Sequence, residues 1–214
     1  MFSCVIPTLW KSPRIVHLVD ELTKSPSVGE VIIIDNDVTN AKQLIDSEKV
    51  KVIKMEKNIF VNPAWNLGVS LSQFDNIALI NDDVNFNADV FKMFDSINLQ
   101  EFGIVGMHIE NFKLQSDKEF QLHSHEFRDY GWGCIMLISK KNYVTIPDDL
   151  LIWAGDDWLA LHRPIFSISG LKVETEMSTT TRQYFTNIQH QDKNTFRDKY
   201  LQINPKIWSE EWKK

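Results

Sequence analysis

The sequence predicts an α/β domain with a Rossmann-like, mostly parallel central sheet flanked by helices and a mixed C-terminal half. Three observations carry that expectation. Short β-branched runs alternate with segments of helical period through the first half of the chain, the pattern of a parallel sheet covered by helices. Three of the expected strands end in polar clusters, Pro7-Thr8, Asp35-Asn36-Asp37 and Asn81-Asp82-Asp83, at the edge where such sheets bind ligands. The 214 residues, 43% of them hydrophobic and including 7 Trp and 13 Phe, suffice for one packed domain with a sizeable core.

Strands are expected over residues 2–6, 30–34, 50–54 and 76–80. Between the first two, Ile15, Leu18, Val19 and Leu22 recur at helical spacing. A shorter helix is expected over 39–45 and another over 63–71, the latter opening with Pro63 at a first-turn position that needs no N–H partner. Beyond Gly103 the regularity weakens. Apolar strands are expected over 103–109 and 132–139, with long loops or a hairpin over the sheet between them. Trp153-Ala154-Gly155-Asp156-Asp157-Trp158 then leads into an apolar helix, and a strand follows around 165–168. The tail from Thr179 is polar with little periodicity, and no repeat or linker divides the chain.

Composition excludes several classes of function. The 23 basic and 29 acidic side chains leave a net charge of −6 with no basic run, so a backbone-binding nucleic-acid protein, which must replace condensed counterions, is not expected. An anionic ligand has to be handled locally, for instance through a metal. Cys4 and Cys134 both lie in apolar runs where a free thiol behaves as a small hydrophobe, so no disulfide framework is expected. Pro7 and Lys11 interrupt the N-terminus before a signal-like apolar stretch develops, and nothing approaches the roughly 20 apolar residues of a membrane span. A reducing cytoplasmic location is the expectation.

The strongest chemical signal is the apolar strand Ile77-Ala78-Leu79-Ile80 running into Asn81-Asp82-Asp83. Consecutive hard oxygen ligands at a sheet's carboxyl edge suit Mg²⁺ or Mn²⁺ holding a substrate diphosphate. A polar turn after a strand is the plainer alternative. The pairing with Asp35 and Asp37 at a second strand end favours the site, because adjacent carboxylates repel unless a cation or sugar hydroxyls lie between them.

These segments, IPT, VIIIDND and NPAWNLGVSLSQFDNIALINDDV, resemble the N-terminal half of GT-A fold glycosyltransferases, in particular the large inverting family 2 type. The likeness covers roughly residues 2–90 and is patchy afterwards. It implies one GT-A-like domain over 1–214, with a nucleotide-sugar-binding half (1–100) and an acceptor-binding half (101–214), which could also be one part of a larger protein. By resemblance, Pro7 and Thr8 border the nucleotide, Asp35 partners the uracil or ribose with Asn36 and Asp37 beside it, and Asn66 and Gly68 pack a helix start against the nucleoside. The resemblance makes Asp83 the divalent-metal ligand and puts Asp82 on the ribose or in support of the metal. Asn81 stands where the first Asp of the family's Asp-x-Asp usually is, which weakens that ligand. The alternatives are a helix N-cap for Asn62 or Asn66 and a C-terminal turn for Gly68.

Gly155-Asp156-Asp157 is similar to the family's Gly-Glu-Asp segment, whose Asp deprotonates the acceptor hydroxyl; Asp157 is preferred as base over Asp156. An inverting transfer needs a carboxylate opposite the leaving diphosphate, within about 3 Å of the acceptor oxygen. Trp153 and Trp158 offer flat faces for sugar stacking, or the two carboxylates simply favour a helix N-terminus. Many GT-A enzymes add a late His to the metal, a role that would fall to His190 if it is not solvated surface. Arg182 could fork onto a diphosphate or be plain exposed charge. His123 and His125 share one strand face and are acceptor-site candidates, and Trp132 either borders that site or packs in the core.

The expected activity is a Mn²⁺- or Mg²⁺-dependent transfer of a sugar from a nucleoside-diphosphate donor, a UDP-sugar, to a saccharide hydroxyl with inversion. The alternatives are a non-catalytic nucleotide-sugar or glycan-binding module, or a sugar nucleotidyltransferase. The last normally shows a Gly-rich, basic loop after the first strand, whereas this loop is Pro7-Thr8-Leu9-Trp10.

Overall fold

A computed structural model describes residues 1–42, 44, 46–126, 128, 130–176 and 185–203. The first half follows the expected order: β1 (Phe2–Thr8), α1 (Arg14–Lys24), β2 (Val28–Asp35), β3 (Val50–Lys54), α2 (Val61–Leu71) and β4 (Asn76–Ile80). The second half adds β5 (Val84–Asn85), α3 (Val90–Phe94), α4 (Leu99–Phe102), β6 (Ile104–Met107), β7 (Gln121–His125), β8 (Ile135–Ser139), α5 (Gly155–His162), β9 (Ile165–Ser169), β10 (Glu174–Thr175) and α6 (Thr186–Thr195).

Eight strands form one sheet in the order β3-β2-β1-β4-β8-β6-β9-β7. The pairings β1 to β2, β1 to β4, β2 to β3 and β6 to β9 are parallel, while β8 is antiparallel to both β4 and β6, and β7 to β9. Only β7 and β8 therefore run against the rest. The carboxyl ends of β1, β2, β4, β6 and β9 share one edge with the start of β8.

β1 is buried along its whole length, which is why its sequence does not alternate: it is apolar from Cys4 to Pro7, and its buried Ser3 and Thr8 hydroxyls are hydrogen-bonded. Alternation appears instead as a division between faces. Val31 and Ile33 of β2 join a core packed by Ile15, Leu18 and Val19 of α1 with Phe91 and Phe94 of α3. Ile32 and Ile34 join the opposite core, packed by Ala64, Trp65 and Val69 of α2 with Leu159 and Leu161 of α5. The result is three layers, helix, sheet and helix.

The structure corrects several sequence expectations. The helix over 39–45 is only a 3₁₀ turn, Val38–Asn40, because the Asp37 side chain accepts from the Thr39 N–H and Asn40 bonds back to Asp37, local bonds that compete with a helix; residues 43 and 45 lie outside the described set. α2 starts two residues before Pro63, which occupies the third helical position, still among the N–H groups without an intrahelical partner. The N-cap position of α2 is Phe60, not Asn62 or Asn66. The strand over 132–139 divides into a 3₁₀ turn, Trp132–Cys134, and β8. The polar stretch before it contributes the sheet's edge strand β7, and part of the polar tail forms α6. A small antiparallel pair, β5 with β10, brings the C-terminal segment against the residues that follow Asp83.

Candidate active site

The polar ends of β1, β2 and β4 meet at the carboxyl edge. Thr8 and Asp35 are register partners on β1 and β2. The Thr8 hydroxyl donates to Asp82 Oδ2 at 2.6 Å and accepts from the Trp10 backbone N–H at 2.8 Å. Trp10, 3% exposed, turns its indole N–H onto Asp35 Oδ1 at 2.7 Å, and the Asp37 N–H reaches the same oxygen at 3.0 Å. Asp35 is fully buried, and among the described residues its Oδ2 has no hydrogen-bond partner. Asn36 anchors the segment before α2: its Oδ1 accepts from the Ile59 N–H at 3.0 Å. Pro7 lies inside β1, opposite Ile34, rather than in a loop beyond it.

Asp82 and Asp83 follow β4 with their charges poorly solvated. Burial pushes the Asp82 carboxyl up to about 6, with the Thr8 hydroxyl opposing and the Asp83 charge adding. Burial likewise raises Asp83, against a hydrogen bond from Thr175 on β10. Adjacent carboxylates held half-buried, each disfavouring its own charge, form a donor set that a hard divalent cation would relieve, so the residues fit such an ion. Asn81 is tied through its N–H to the Cys134 carbonyl at 3.0 Å, which joins β4 to the turn before β8.

That turn also touches the second acidic pair. An ideal Cβ built on Gly133 would lie 2.6 Å from Asp156 Oδ2, so the missing side chain lets the turn approach the carboxylate. Asp156 and Asp157 occupy the first turn of α5, where the helix dipole favours negative charge. The loop that delivers them is pinned from two sides. Asn62 of α2 donates its side-chain amide to the Leu150 and Trp153 carbonyls, each at 3.1 Å, and a Cβ on Gly155 would overlap the Asn62 side chain. Asp192 of α6, fully buried, accepts the Ile152 and Trp153 N–H groups on one oxygen at 2.7 and 2.8 Å.

Arg128, between β7 and the Trp132 turn, closes the acidic pair. Its Nε and Nη2 fork onto the two oxygens of Asp157, the Nη2 bond at 2.8 Å, and Nε lies 3.5 Å from Asp156 Oδ2. Burial, opposed by Arg128 and reinforced by the neighbouring Asp157 charge, holds the Asp156 carboxyl above the usual range.

Other expected site residues are placed elsewhere. Asn66 spends its side chain on the segment ahead of α5, accepting from the Tyr143 hydroxyl and the Ile146 N–H and donating to the Ile146 carbonyl. Gly68 lies within α2, where a Cβ would overlap Val5 of β1, so it sets helix-to-sheet approach. Trp132 is fully buried, stacked on Gly106 and donating to the Phe166 carbonyl at 2.8 Å, which makes it core. Trp158 donates to the Thr145 carbonyl and packs on Tyr200 and His162, and Trp153 carries Lys193 Nζ 4.8 Å from its ring centroid. His125 pairs with Ile165 at the start of β9, the sheet edge away from the acidic residues, and is hydrogen-bonded to Ser167; His123 is bonded to Ser169. His190 is exposed on α6, about 200° around the helix from the inward-facing Asp192. Arg182 lies outside the described residues.

Sequence reasoning assigned no site role to Trp10, Asn62, Arg128, Thr175 or Asp192. Each acts through a partner distant in the chain, which a local pattern does not reveal, even for Asn62 at the start of the NPAWNLG segment.

The model of the family described as Glycosyl transferase family 2 matches residues 3–151, more than half of the chain. This chain belongs to glycosyl transferase family 2. The match runs from β1 past β8 to residue 151 and stops before Asp156, so the second acidic pair lies beyond it. None of the curated proteins matches the family 2 chain. Among solved structures, Staphylococcus aureus TarS 1–349 superposes with a TM-score of 0.56 at 13% identity, over 94% of this chain and 73% of that one. GalNAc-T7, solved with UDP, GalNAc and Mn²⁺, gives 0.59 at 10% identity over 82% of this chain and 43% of its own. HddC from Yersinia pseudotuberculosis, complexed with GMP-PN, gives 0.54 at 14% identity over 82% and 93%. At these identities the likeness establishes a shared fold, the GT-A type α/β arrangement. The family 2 glycosyltransferase here spans less than half of GalNAc-T7. Among its described residues, no helix is long and apolar enough to cross a membrane.

Proposed function

We propose that this family 2 glycosyltransferase moves a sugar from a UDP-sugar to a saccharide hydroxyl with inversion, assisted by Mn²⁺ or Mg²⁺, and works in the cytosol, where its two buried free thiols stay reduced. The observation that carries the proposal is the Trp132–Cys134 turn, which binds the Asn81 N–H of the first acidic segment and abuts Asp156 of the second, so one turn touches both acidic segments. Donor and acceptor chemistry can then face each other across a sugar.

On the donor side, the unpartnered buried Oδ2 of Asp35 suits the imide N–H of uracil. Thr8 and Asp82 offer a hydroxyl and a carboxylate to the ribose. Asp83 would hold the cation, which when bound supplies positive charge beside the departing diphosphate. On the acceptor side, Asp157 takes the proton of the attacking hydroxyl, and its place on a pinned helix start fixes the direction of attack. TarS and GalNAc-T7 have been crystallised with UDP, which supports the same nucleotide here.

Trp10 weighs against a nucleotidyltransferase. The loop after β1, where a triphosphate would need a glycine-lined cradle, is filled by this buried indole bonded to Asp35. Incubating the protein with Mn²⁺, UDP-sugars and a panel of saccharides, and measuring UDP released, tests the reading. Release that depends on both metal and saccharide, and that Asp157→Asn abolishes, is the expected result. Pyrophosphate formed from UTP and a sugar 1-phosphate, without UDP release, would replace the proposal.

A further inference from the structure

Among the described residues, Trp10, Phe60 and Ala154 have a positive φ without being glycine. Ala154, with ψ at 10°, lies in the ordinary left-handed well. Phe60 does not. Its φ of 66° and ψ of −173° fall in a region nearly confined to glycine, where a Cβ is strained.

The strain is held from several sides. The Phe60 N–H donates to Asn58 Oδ1 at 2.8 Å, Asn36 Nδ2 donates to the Phe60 carbonyl at 3.4 Å, and the Ile59 N–H donates to Asn36 Oδ1 at 3.0 Å. The same carbonyl accepts from the Ala64 N–H at 3.3 Å as α2 begins. Core packing does not account for a phenyl ring at this position. Ile59 and Val61 on either side pack against the core beneath α2, whereas Phe60 belongs to neither core and stays half-buried. Its ring meets Phe185, the residue before α6, edge-to-face, with centroids 5.7 Å apart and planes at 86°. One such neighbour covers at most one face of a phenyl ring.

The place of the ring indicates what it meets. Asn36, which ties down the Phe60 segment, directly follows Asp35, whose buried Oδ2 has no donor among the described residues. A nucleobase that gives an N–H to this oxygen is engaged at its edge, and its flat faces still need apolar cover. An aromatic side chain supplies that cover, because every base has a π-face.

We propose that Phe60 is a binding residue of the nucleotide site: its phenyl ring stacks on the base whose edge Asp35 takes, and the strained backbone at residue 60 serves to present it. This rests on the uridine-nucleotide reading of the β2 end. Asp35 then discriminates among bases, and Phe60 adds affinity.

The test separates the ring from the fold. Binding of UMP, and of UDP with and without Mn²⁺, is measured calorimetrically for the native protein, Phe60→Gly, Phe60→Leu and Phe60→Tyr, with urea unfolding of each. Phe60→Gly removes ring and strain together. It should unfold at the same or a higher urea concentration than the native protein, while its Kd for UMP and for UDP rises about tenfold or more, as loss of a base–aromatic stack does. Phe60→Leu keeps an apolar side chain without the flat face and should also weaken both ligands, whereas Phe60→Tyr should bind them nearly as the native protein does. The gain in UDP affinity from Mn²⁺ should be the same in all four, since the cation acts at the phosphates. Native affinity for UMP and UDP in Phe60→Gly overturns the inference. A Phe60→Gly protein that unfolds more readily than the native one makes the ring a packing residue and also overturns it. If the native protein binds neither UMP nor UDP, the uridine reading itself has failed, a result separable from both.

Discussion

In the proposed transfer Asp83 and Asp157 have opposite duties, and single substitutions separate them. Asp83 stands beside Asp82, both half-buried with burial working against their charges, whereas Asp157 lies in the first turn of α5 and is held by Arg128. Asp83→Ala should abolish the part of UDP binding that depends on Mn²⁺, measured by calorimetric titration with and without EDTA. Asp157→Asn should leave that binding intact and lower UDP release by about 10²- to 10⁴-fold, the usual contribution of a positioned general base. An Asp157→Asn protein of native turnover moves the base to Asp156. Much of this scale was legible in the sequence, because strand-end carboxylates and the Gly-Asp-Asp helix start are contiguous patterns. Arg128 was not, since its charge acquires meaning only when the chain between β7 and β8 folds back onto α5.

Elements matter here as clamps on the loop that carries the acidic pair. Asp192 of α6 receives two backbone N–H groups from residues 152 and 153, and Asp192→Ala would leave both without that partner. A loss of about 1–3 kcal/mol in urea unfolding is expected, with turnover falling more than UDP binding. The sheet has a comparable tie at its other end. Glu30 of β2, 2% exposed, accepts from Ser3 of β1, from Lys51 of β3 and from the Gln73 N–H after α2. Burial pushes its carboxyl up, but those donors outweigh it and hold the group below the ordinary glutamate range. The native state thus binds this proton more weakly than the unfolded chain. Its contribution is present above the unfolded pKa, near 4.3–4.5, and is lost as pH falls through the lower folded value. Glu30→Gln should therefore cost about 1–3 kcal/mol at pH 7, and melting curves of the two proteins should converge in acid. Convergence at neutral pH and divergence in acid would contradict the account. Periodicity found β1, β2, β3, β4 and α1, whose faces are apolar over long runs. It missed β7, α6 and the shortness of the 38–40 turn, which are polar segments placed by tertiary bonds or local side-chain caps.

At the scale of the molecule, one sheet edge gathers residues from positions 8 to 157, and four carboxylates, Asp35, Asp82, Asp83 and Asp156, lie along it, where the proposal puts a diphosphate. The chain's net charge of −6 gives no global attraction for such a ligand, so the proposed binding calls for local charge reversal by a cation. The most direct measurement is a thermal melt of the native protein with UDP, with Mn²⁺ and with both. A ligand at one hundred times its Kd contributes about 2.7 kcal/mol, which for a domain of this size is a rise of roughly 5–10 °C. The account predicts that rise with UDP and Mn²⁺ together, little with UDP alone, and its disappearance in Asp83→Ala. The same rise with UDP in the presence of EDTA, or no rise under any combination, would contradict it.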